Sequence, residues 1–348
     1  MTVPREDLAG VVQAAFGPAR RLAGVQRLRG GSKKGVYRLT LDDGTTVVGY
    51  VWSAAENYWP APAGEAARDD ADPFADNSGA GLFEASHARL AALGVRIPRL
   101  YFLDRSLTAY ATEIALVEDV PGESLETRLE RGQPGTREIL ARLGAALAVM
   151  HRQRDRRIGK IAVLDHGAAQ PGRPCEQIVL DRALDHLAQA ASRVERVAAV
   201  RGRLEDVTRE LAAAVRPRAE HGLIHGELGP DHVLVDSRGH PALIDIEGLM
   251  FFDIEWEHAF LELRFGRDYP LLRPDRPGGP EGSSRADGPD GADRPGGLDS
   301  QRLRFYRLAL HLSLIAGPLR LLDGDFPDRE PMLRIVAFNV EQALAFVR

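Results

Sequence analysis

The sequence predicts a two-lobed α+β protein, with a mainly antiparallel sheet plus one helix in residues 1–120 and a largely helical second lobe in residues 121–348. Three observations carry that expectation. Short alternating apolar segments punctuated by glycine turns crowd residues 25–52. Apolar residues recur at helical spacing through much of the chain after residue 124. Within that helical part, one hairpin, residues 225–248, concentrates acids and imidazoles. The length of 348 residues also exceeds what one simple core fills, so two lobes are the natural division.

Residues 25–41 read as two strands around a turn holding Gly30, Gly31 and Gly35, and Asp42-Asp43-Gly44 turns the chain into a third strand, Thr45 to Val51. A connection of residues 53–81 follows, rich in Ala, Asp, Pro and Gly, the composition of a lid or a disordered segment. Tyr58 and Trp59 interrupt it; they either pin the loop to the lobe or offer Trp59 for stacking. Leu82 to Leu93 has helical spacing and Gly94 closes it. Residues 97–104 and 110–120 read as two more strands, and Pro121-Gly122 marks a hinge before a helix beginning at Ser124. Thr136 to His151 forms an amphipathic helix with Ile139, Leu143, Leu147 and Met150 on one face, and two further helices are expected in 176–215. Leu249 to Phe265 reads as an amphipathic helix. Residues 273–299 contain little that can build a core and read as a disordered insert. A helical period returns from Gln301, with Gly317-Pro318 as a break, and Pro331 to Val347 makes the last helix.

In the hairpin, Val233-Leu234-Val235 and the run ending at Asp245 are apolar strands joined by the turn Asp236-Ser237-Arg238-Gly239. Two strands joined tightly bring their far ends together, so His225, Glu227, Asp231, His232, Asp245 and Glu247 must share one patch. Carboxylates that orient a hydroxyl and oxygen ligands that hold a divalent cation are what metal-assisted phosphoryl transfer needs. A second signal lies in the lysines. Only Lys33, Lys34 and Lys160 occur among 45 basic residues, and two of them are neighbours in the glycine turn. A compact ammonium contacts phosphate as a point charge, although a solvated basic turn explains the pair equally.

The run His225-Gly226-Glu227-Leu228-Gly229-Pro230-Asp231-His232, followed by Ile244-Asp245, resembles the catalytic loop and metal-binding strand of the aminoglycoside phosphotransferases and related antibiotic and small-molecule kinases. Their pattern is H-G-D-x-x-x-x-N, then I-D. The resemblance implies the protein-kinase-like fold, with residues 1–120 as a nucleotide-binding lobe and 121–348 as the catalytic, substrate-binding lobe. It implies transfer of the γ-phosphate of ATP or GTP to a hydroxyl of a small molecule, such as an antibiotic or natural product, with Mg²⁺ as cofactor. His225 and Glu227 stand at catalytic positions. Asp245 and His232 stand at metal positions, with Glu247 or Asp231 able to take over, since Mg²⁺ prefers oxygen to imidazole. Gly31 and Gly35 fall in the turn over the nucleotide phosphates, Glu84 on the helix matches the family's lysine partner, and Asp253 resembles the acid that braces the catalytic loop.

Three positions depart from the pattern. Glu227 replaces Asp, His232 replaces Asn, and the third strand has Tyr50 where the phosphate-binding lysine belongs. Lys33 or Lys34 can supply that charge from the turn, as a relocated lysine does in one group of protein kinases. The alternative is a pseudokinase, a nucleotide- or ligand-binding module without turnover.

The formal net charge of −5 gives no basic face for nucleic acid. The single cysteine, Cys175, can form neither an internal disulfide nor a cysteine-based zinc site, as suits a reducing compartment. The first residues lack the build of a signal peptide and no apolar run approaches the roughly 20 residues of a membrane span, so the expectation is a cytoplasmic protein without a membrane partner.

Overall fold

A computed structural model of the chain describes residues 5–28, 31–60, 72–75, 78–167, 173–273 and 297–348. Gly30 in the glycine turn, much of the 53–81 connection and nearly all of the expected insert at 273–299 lie outside the described residues. Among the described residues no helix is long and apolar enough to cross a membrane.

Alternation builds the first layer. After helix α1 (Arg5–Phe16), strands β1 (Leu22–Arg27), β2 (Gly35–Leu41) and β3 (Thr46–Trp52) pair in sequence. Helix α2 (Ala80–Ala92) then leads to β4 (Leu100–Asp104) and β5 (Glu113–Glu118), and the antiparallel sheet has the order β1-β2-β3-β5-β4. Alternate residues face opposite sides of a sheet. Tyr37, Leu39, Val51 and Leu116 therefore bury against Leu8, Val11 and Val12 of α1. Val48, Tyr50, Trp52 and Ala115 face the other way, onto Phe83 and Leu90 of α2.

That second core continues into the rest of the molecule. Strand β6 (Gly122–Ser124) leads into α3 (Leu125–Glu130), where the Ser124 hydroxyl caps the helix by accepting the Thr127 N–H at 3.2 Å. Helix α4 (Thr136–His151) spans the residues its periodicity predicts and buries the expected face, with Leu143, Leu147 and Met150 in the same core as Tyr50 and Phe83. Short strands β7 (Arg154–Asp155) and β8 (Gly159–Lys160) and helix α5 (Ile161–Asp165) follow. Residues 175–213 form α6 (Cys175–Ala191), one-turn α7 (Glu195–Ala198) and α8 (Arg201–Ala213), one helix more than the periodicity suggests.

The hairpin forms as expected. Strand β9 (His221–Ile224) enters the loop, and β10 (Val233–Asp236) pairs antiparallel with β11 (Pro241–Leu243) and with β6. Strand β12 (Met250–Phe252) returns between β9 and β8.

Helix α9 (Ile254–Phe265) departs from expectation. It begins at Ile254 rather than Leu249, because Met250–Phe252 form β12, and it is not amphipathic: residues 255–261 are all buried, including Glu255, Glu257 and His258. Helix α10 (Ser300–Leu321) runs through the expected break at Gly317-Pro318, and α11 (Arg329–Ala345) closes the chain. Proline in the last turn of a helix forfeits one backbone bond. Here packing of buried Ile315, Ala316, Gly317 and Leu321 holds the helix through that loss.

Candidate active site

The catalytic loop is built from its backbone outward. Beyond β9 the chain turns at Gly226, whose φ of 94° favours glycine. Glu257, buried on α9, accepts the N–H of His225 at 3.0 Å and of Gly226 at 3.2 Å, and the Trp256 indole N–H donates to the Gly226 carbonyl at 3.2 Å. Burial alone would raise the Glu257 carboxyl, but His151 at 3.3 Å and the loop amide of His225 hold it below the usual range. Glu257, rather than Asp253, therefore braces the loop. Asp253 accepts from Arg302 and Tyr306 and lies 3.3 Å from His221 Nδ1, so it ties α10 to the inner strands.

The braced loop presents its polar groups unequally. Glu227 is exposed, and its carboxylate makes no hydrogen bond or ion pair among the described residues. His225 is buried, with Nε2 3.0 Å from the Ile244 carbonyl. The imidazole expected to be catalytic thus cannot reach a solvent-borne acceptor, and it positions the loop instead. His232 Nδ1 lies 2.9 Å from the Glu227 carbonyl, and its Nε2 stands 3.6 Å from Asp245 Oδ2. One imidazole thus spans from the backbone of Glu227 to Asp245. Asp231 forms an ion pair with Arg264 through Oδ1 at 2.7 Å.

Asp245 itself adopts the left-handed conformation, φ 58° and ψ 46°, at the end of the hairpin. An Asp tolerates it better than most residues, and such strain concentrates at functional sites. The conformation leaves the Asp245 side chain 47% exposed while Glu247, two residues on, is 3% exposed.

Lys34 joins them across the cleft. Its ammonium donates to Asp245 Oδ1 at 2.9 Å and to Glu247 Oε1, and it lies 4.9 Å from the centre of the Tyr50 ring. The sheet explains the reach. Lys34 immediately precedes β2, where Val36 is paired with Tyr50, so a long side chain from the turn crosses the ring where a strand lysine would have stood. Burial works to lower the Lys34 ammonium, but the Asp245 and Glu247 carboxylates outweigh it and hold it above the ordinary lysine range. In return, the ammonium holds the Asp245 carboxyl well below the usual carboxylate range. Burial pushes the Tyr50 phenol up to about 12, against the pull of Lys34.

Residues 24–270 match the profile of the phosphotransferase enzyme family, APH. The chain belongs to that family. Its fold agrees. A thermostable mutant of aminoglycoside phosphotransferase APH(4)-Ia, in ternary complex with ADP and hygromycin B, is similar with a TM-score of 0.60 at 16% identity, over 98% of both chains. The GDP and kanamycin complex of APH(2")-IIia is similar with a TM-score of 0.59 at 16% identity, over 96% of each chain. A putative fructosamine-3-kinase from Thermobifida fusca is similar with a TM-score of 0.54 at 19% identity, over 97% of this chain and 98% of that one. No curated protein sequence matches the chain.

The structure also moves Glu84 away from Lys34. Helix α2 buries Ala80, Phe83, Ser86 and Leu90, which turns Glu84 outward; it is 50% exposed and pairs with Arg105 at 3.1 Å. Glu247 takes its place as the lysine's partner. Gly31 and Gly35 are needed for the shape of the turn. A Cβ on Gly31 would fall 2.3 Å from the Lys34 carbonyl oxygen, and one on Gly35 would strike Tyr37 and Glu56. Lys33 points its ammonium to the Trp59 ring at 5.6 Å, and Arg320 of α10 lies 5.5 Å from the same ring. The Trp59 indole N–H donates to the Ser32 hydroxyl at 3.0 Å. Trp59 therefore pins the glycine turn against α10, the bracing role rather than the stacking one.

Sequence reasoning missed Glu257. The signal that finds it is chemical: three acids, Asp253, Glu255 and Glu257, alternate from the N-cap into an apolar helix, and buried carboxylates must be paired. Glu255 follows the same rule, with Arg218 at 2.6 and 2.7 Å.

Proposed function

We propose that the chain transfers the γ-phosphoryl group of ATP or GTP to a hydroxyl of a small molecule, an antibiotic or other natural product. The observation that carries this reading is the bridge from Lys34 to Asp245 and Glu247, which restores an ammonium to a site whose third strand lacks lysine. Complexes of family neighbours with ADP or GDP and an aminoglycoside support the substrate classes. We place the division between lobes near Val120, with the nucleotide between them.

Lys34 has three N–H donors and spends two on carboxylates, so the third is available to a phosphate oxygen as a charge-assisted bond. Glu227, exposed and unpartnered, orients the acceptor hydroxyl and receives its proton as the oxygen attacks the γ-phosphorus and the bond to the bridging β–γ oxygen breaks. Glu257 and His225 keep Glu227 in register. Glu is one methylene longer than Asp and misplacement by about 1 Å costs roughly 100-fold, so the bracing of the loop amides by Glu257 sets where this carboxylate falls.

The donor set suits a divalent cation. Glu247 Oε2 is buried without a partner, and Asp245 Oδ2 faces His232 Nε2 with no hydrogen bond between them. Asp245, His232 and Glu247 are the residues that would hold it. A bound cation supplies charge neutralisation across the β- and γ-phosphates.

The test is incubation of the full chain with ATP or GTP, Mg²⁺ or Mn²⁺, and a panel of hydroxylated antibiotics and natural products, read by mass spectrometry. A product heavier by one phosphate is expected. Nucleotide binding with no product from any acceptor would favour the non-catalytic module, and absence of both binding and transfer would overturn the proposal.

A further inference from the structure

We infer that His232 makes the cation site of this chain one for a first-row transition ion, Mn²⁺ over Mg²⁺, with the imidazole Nε2 and Asp245 Oδ2 as its paired protein ligands. The inference rests on the phosphoryl-transfer reading, and the geometry carries it further. The Glu227 carbonyl, 2.9 Å from His232 Nδ1, can only accept, so Nδ1 carries the proton and the neutral ring keeps its lone pair on Nε2. That is how metal-binding histidines are held, with the second ring nitrogen donating to a backbone carbonyl. The bare Nε2 faces Asp245 Oδ2 at 3.6 Å and Asp231 Oδ2 at 3.7 Å. Two acceptors facing each other beyond hydrogen-bond length gain nothing from their proximity. Two ligands each about 2.1 Å from one ion at the roughly 90° of an octahedral shell are about 3.0 Å apart, so the facing pair lies within about 0.6 Å of the bite of a shared cation.

The ring is also fixed in place. It lies over His225 with centroids 6.0 Å apart and planes 22° from parallel, and His225 is buried and bonded to the Ile244 carbonyl. Lys34 does not compete for the same atom. It takes Asp245 Oδ1 and Glu247 Oε1, leaving Asp245 Oδ2 on the His232 side. Asp231 is engaged by Arg264 through its other oxygen, Oδ1. An Asn in place of His232 would offer an amide oxygen, which suits Mg²⁺; an imidazole nitrogen favours the first-row transition ions over Mg²⁺. Of these, Mn²⁺ keeps the octahedral, oxygen-rich shell that carboxylates and phosphates require.

The experiment loads the ¹⁵N-labelled full chain with Mn²⁺ and the unlabelled methylene analogue of ATP, and records electron spin echo envelope modulation. A ¹⁵N coupling from a directly bound protein nitrogen is expected, and it disappears in His232→Asn. In parallel, calorimetric titration gives the Mn²⁺ to Mg²⁺ affinity ratio, which should fall by about tenfold or more in His232→Asn through loss of Mn²⁺ affinity. The wild-type spectrum needs no variant to fold, and Asp245→Asn, which leaves the imidazole in place, should weaken both ions. Nucleotide and Mg²⁺ binding with no protein nitrogen on Mn²⁺ overturns the inference and leaves the phosphoryl-transfer reading standing. Nitrogen coupling from a chain that binds no nucleotide upholds the metal pair and overturns that reading.

Discussion

Replacing Lys34 by methionine tests the site at its centre, because methionine keeps an unbranched stem against the Tyr50 ring and removes only the ammonium. At 2.9 Å and an effective dielectric near 20, the pair with Asp245 is worth about 6 kcal/mol before desolvation is subtracted. Asp245 is half-exposed, so water replaces most of that loss, leaving about 1 kcal/mol. Glu247 is different. It is 3% exposed, its Oε2 already lacks a partner, and without Lys34 its Oε1 lacks one too. Removing one member of a buried pair costs about 3–5 kcal/mol, and that is the expected loss in urea unfolding for Lys34→Met. Glu247→Gln in the same chain removes the stranded charge and should recover about 2–3 kcal/mol, so the double-mutant cycle has a large coupling. The same methionine should weaken nucleotide binding by about 10- to 150-fold in calorimetry, the worth of one charge-assisted bond to phosphate. Lys33→Ala should change it by no more than about threefold, since its ammonium lies against Trp59. A coupling below about 0.5 kcal/mol between positions 34 and 247, or a larger nucleotide effect at Lys33 than at Lys34, refutes the reasoning.

Other expectations follow from the same geometry. Tyr50→Lys should destabilise the protein by about 3 kcal/mol, because it sets a second ammonium roughly 5 Å from Lys34; combined with Lys34→Met it should restore nucleotide affinity, and failure of that rescue would show that the strand position no longer faces the phosphates. Glu257→Gln preserves shape but weakens two bonds to loop amides, so turnover should fall by up to roughly 100-fold with nucleotide affinity little changed, measured as kcat against KM for ATP. Acidification should unfold the protein through its buried histidines. Burial, helped by Arg182 and Arg320 around His186 and by His151 and Arg273 near His258 against the opposing Glu257, lowers both rings to about 3. The unfolded chain then binds more protons than the folded one between about pH 6.5 and 3, so stability is present above 6.5 and falls by up to roughly 1.4 kcal/mol per pH unit per histidine below it. Urea midpoints that stay flat from pH 7 to pH 5 would contradict this.

What the sequence disclosed and what it concealed divide along one physical line, the distance along the chain over which a group finds its partner. The hairpin at 225–248 was legible because its turns, strands and polar cluster lie within two dozen residues, and a two-strand unit dictates which ends meet. Helix α4 was legible for the same reason, since four apolar residues at helical spacing are enough to orient it. The long-range pairs were not. Lys34 and Glu247 are 213 residues apart, and nothing local distinguishes Glu247 from Glu84 as the lysine's partner until the packing of Phe83 and Leu90 turns Glu84 outward. Pro318 misled through a local rule, helix breaking, that the packing of α10 against α6 and α11 overrides. The missing lysine shows why local reading of a site is incomplete. A phosphate-binding ammonium is defined by where its charge arrives, not by the residue that carries it. Because Val36 is paired with Tyr50, the last residue of the turn and the middle of the third strand converge on one point beside Asp245. A lysine can therefore move from strand to turn, with an aromatic ring filling the vacated position beneath it, and the charge still meets the carboxylates.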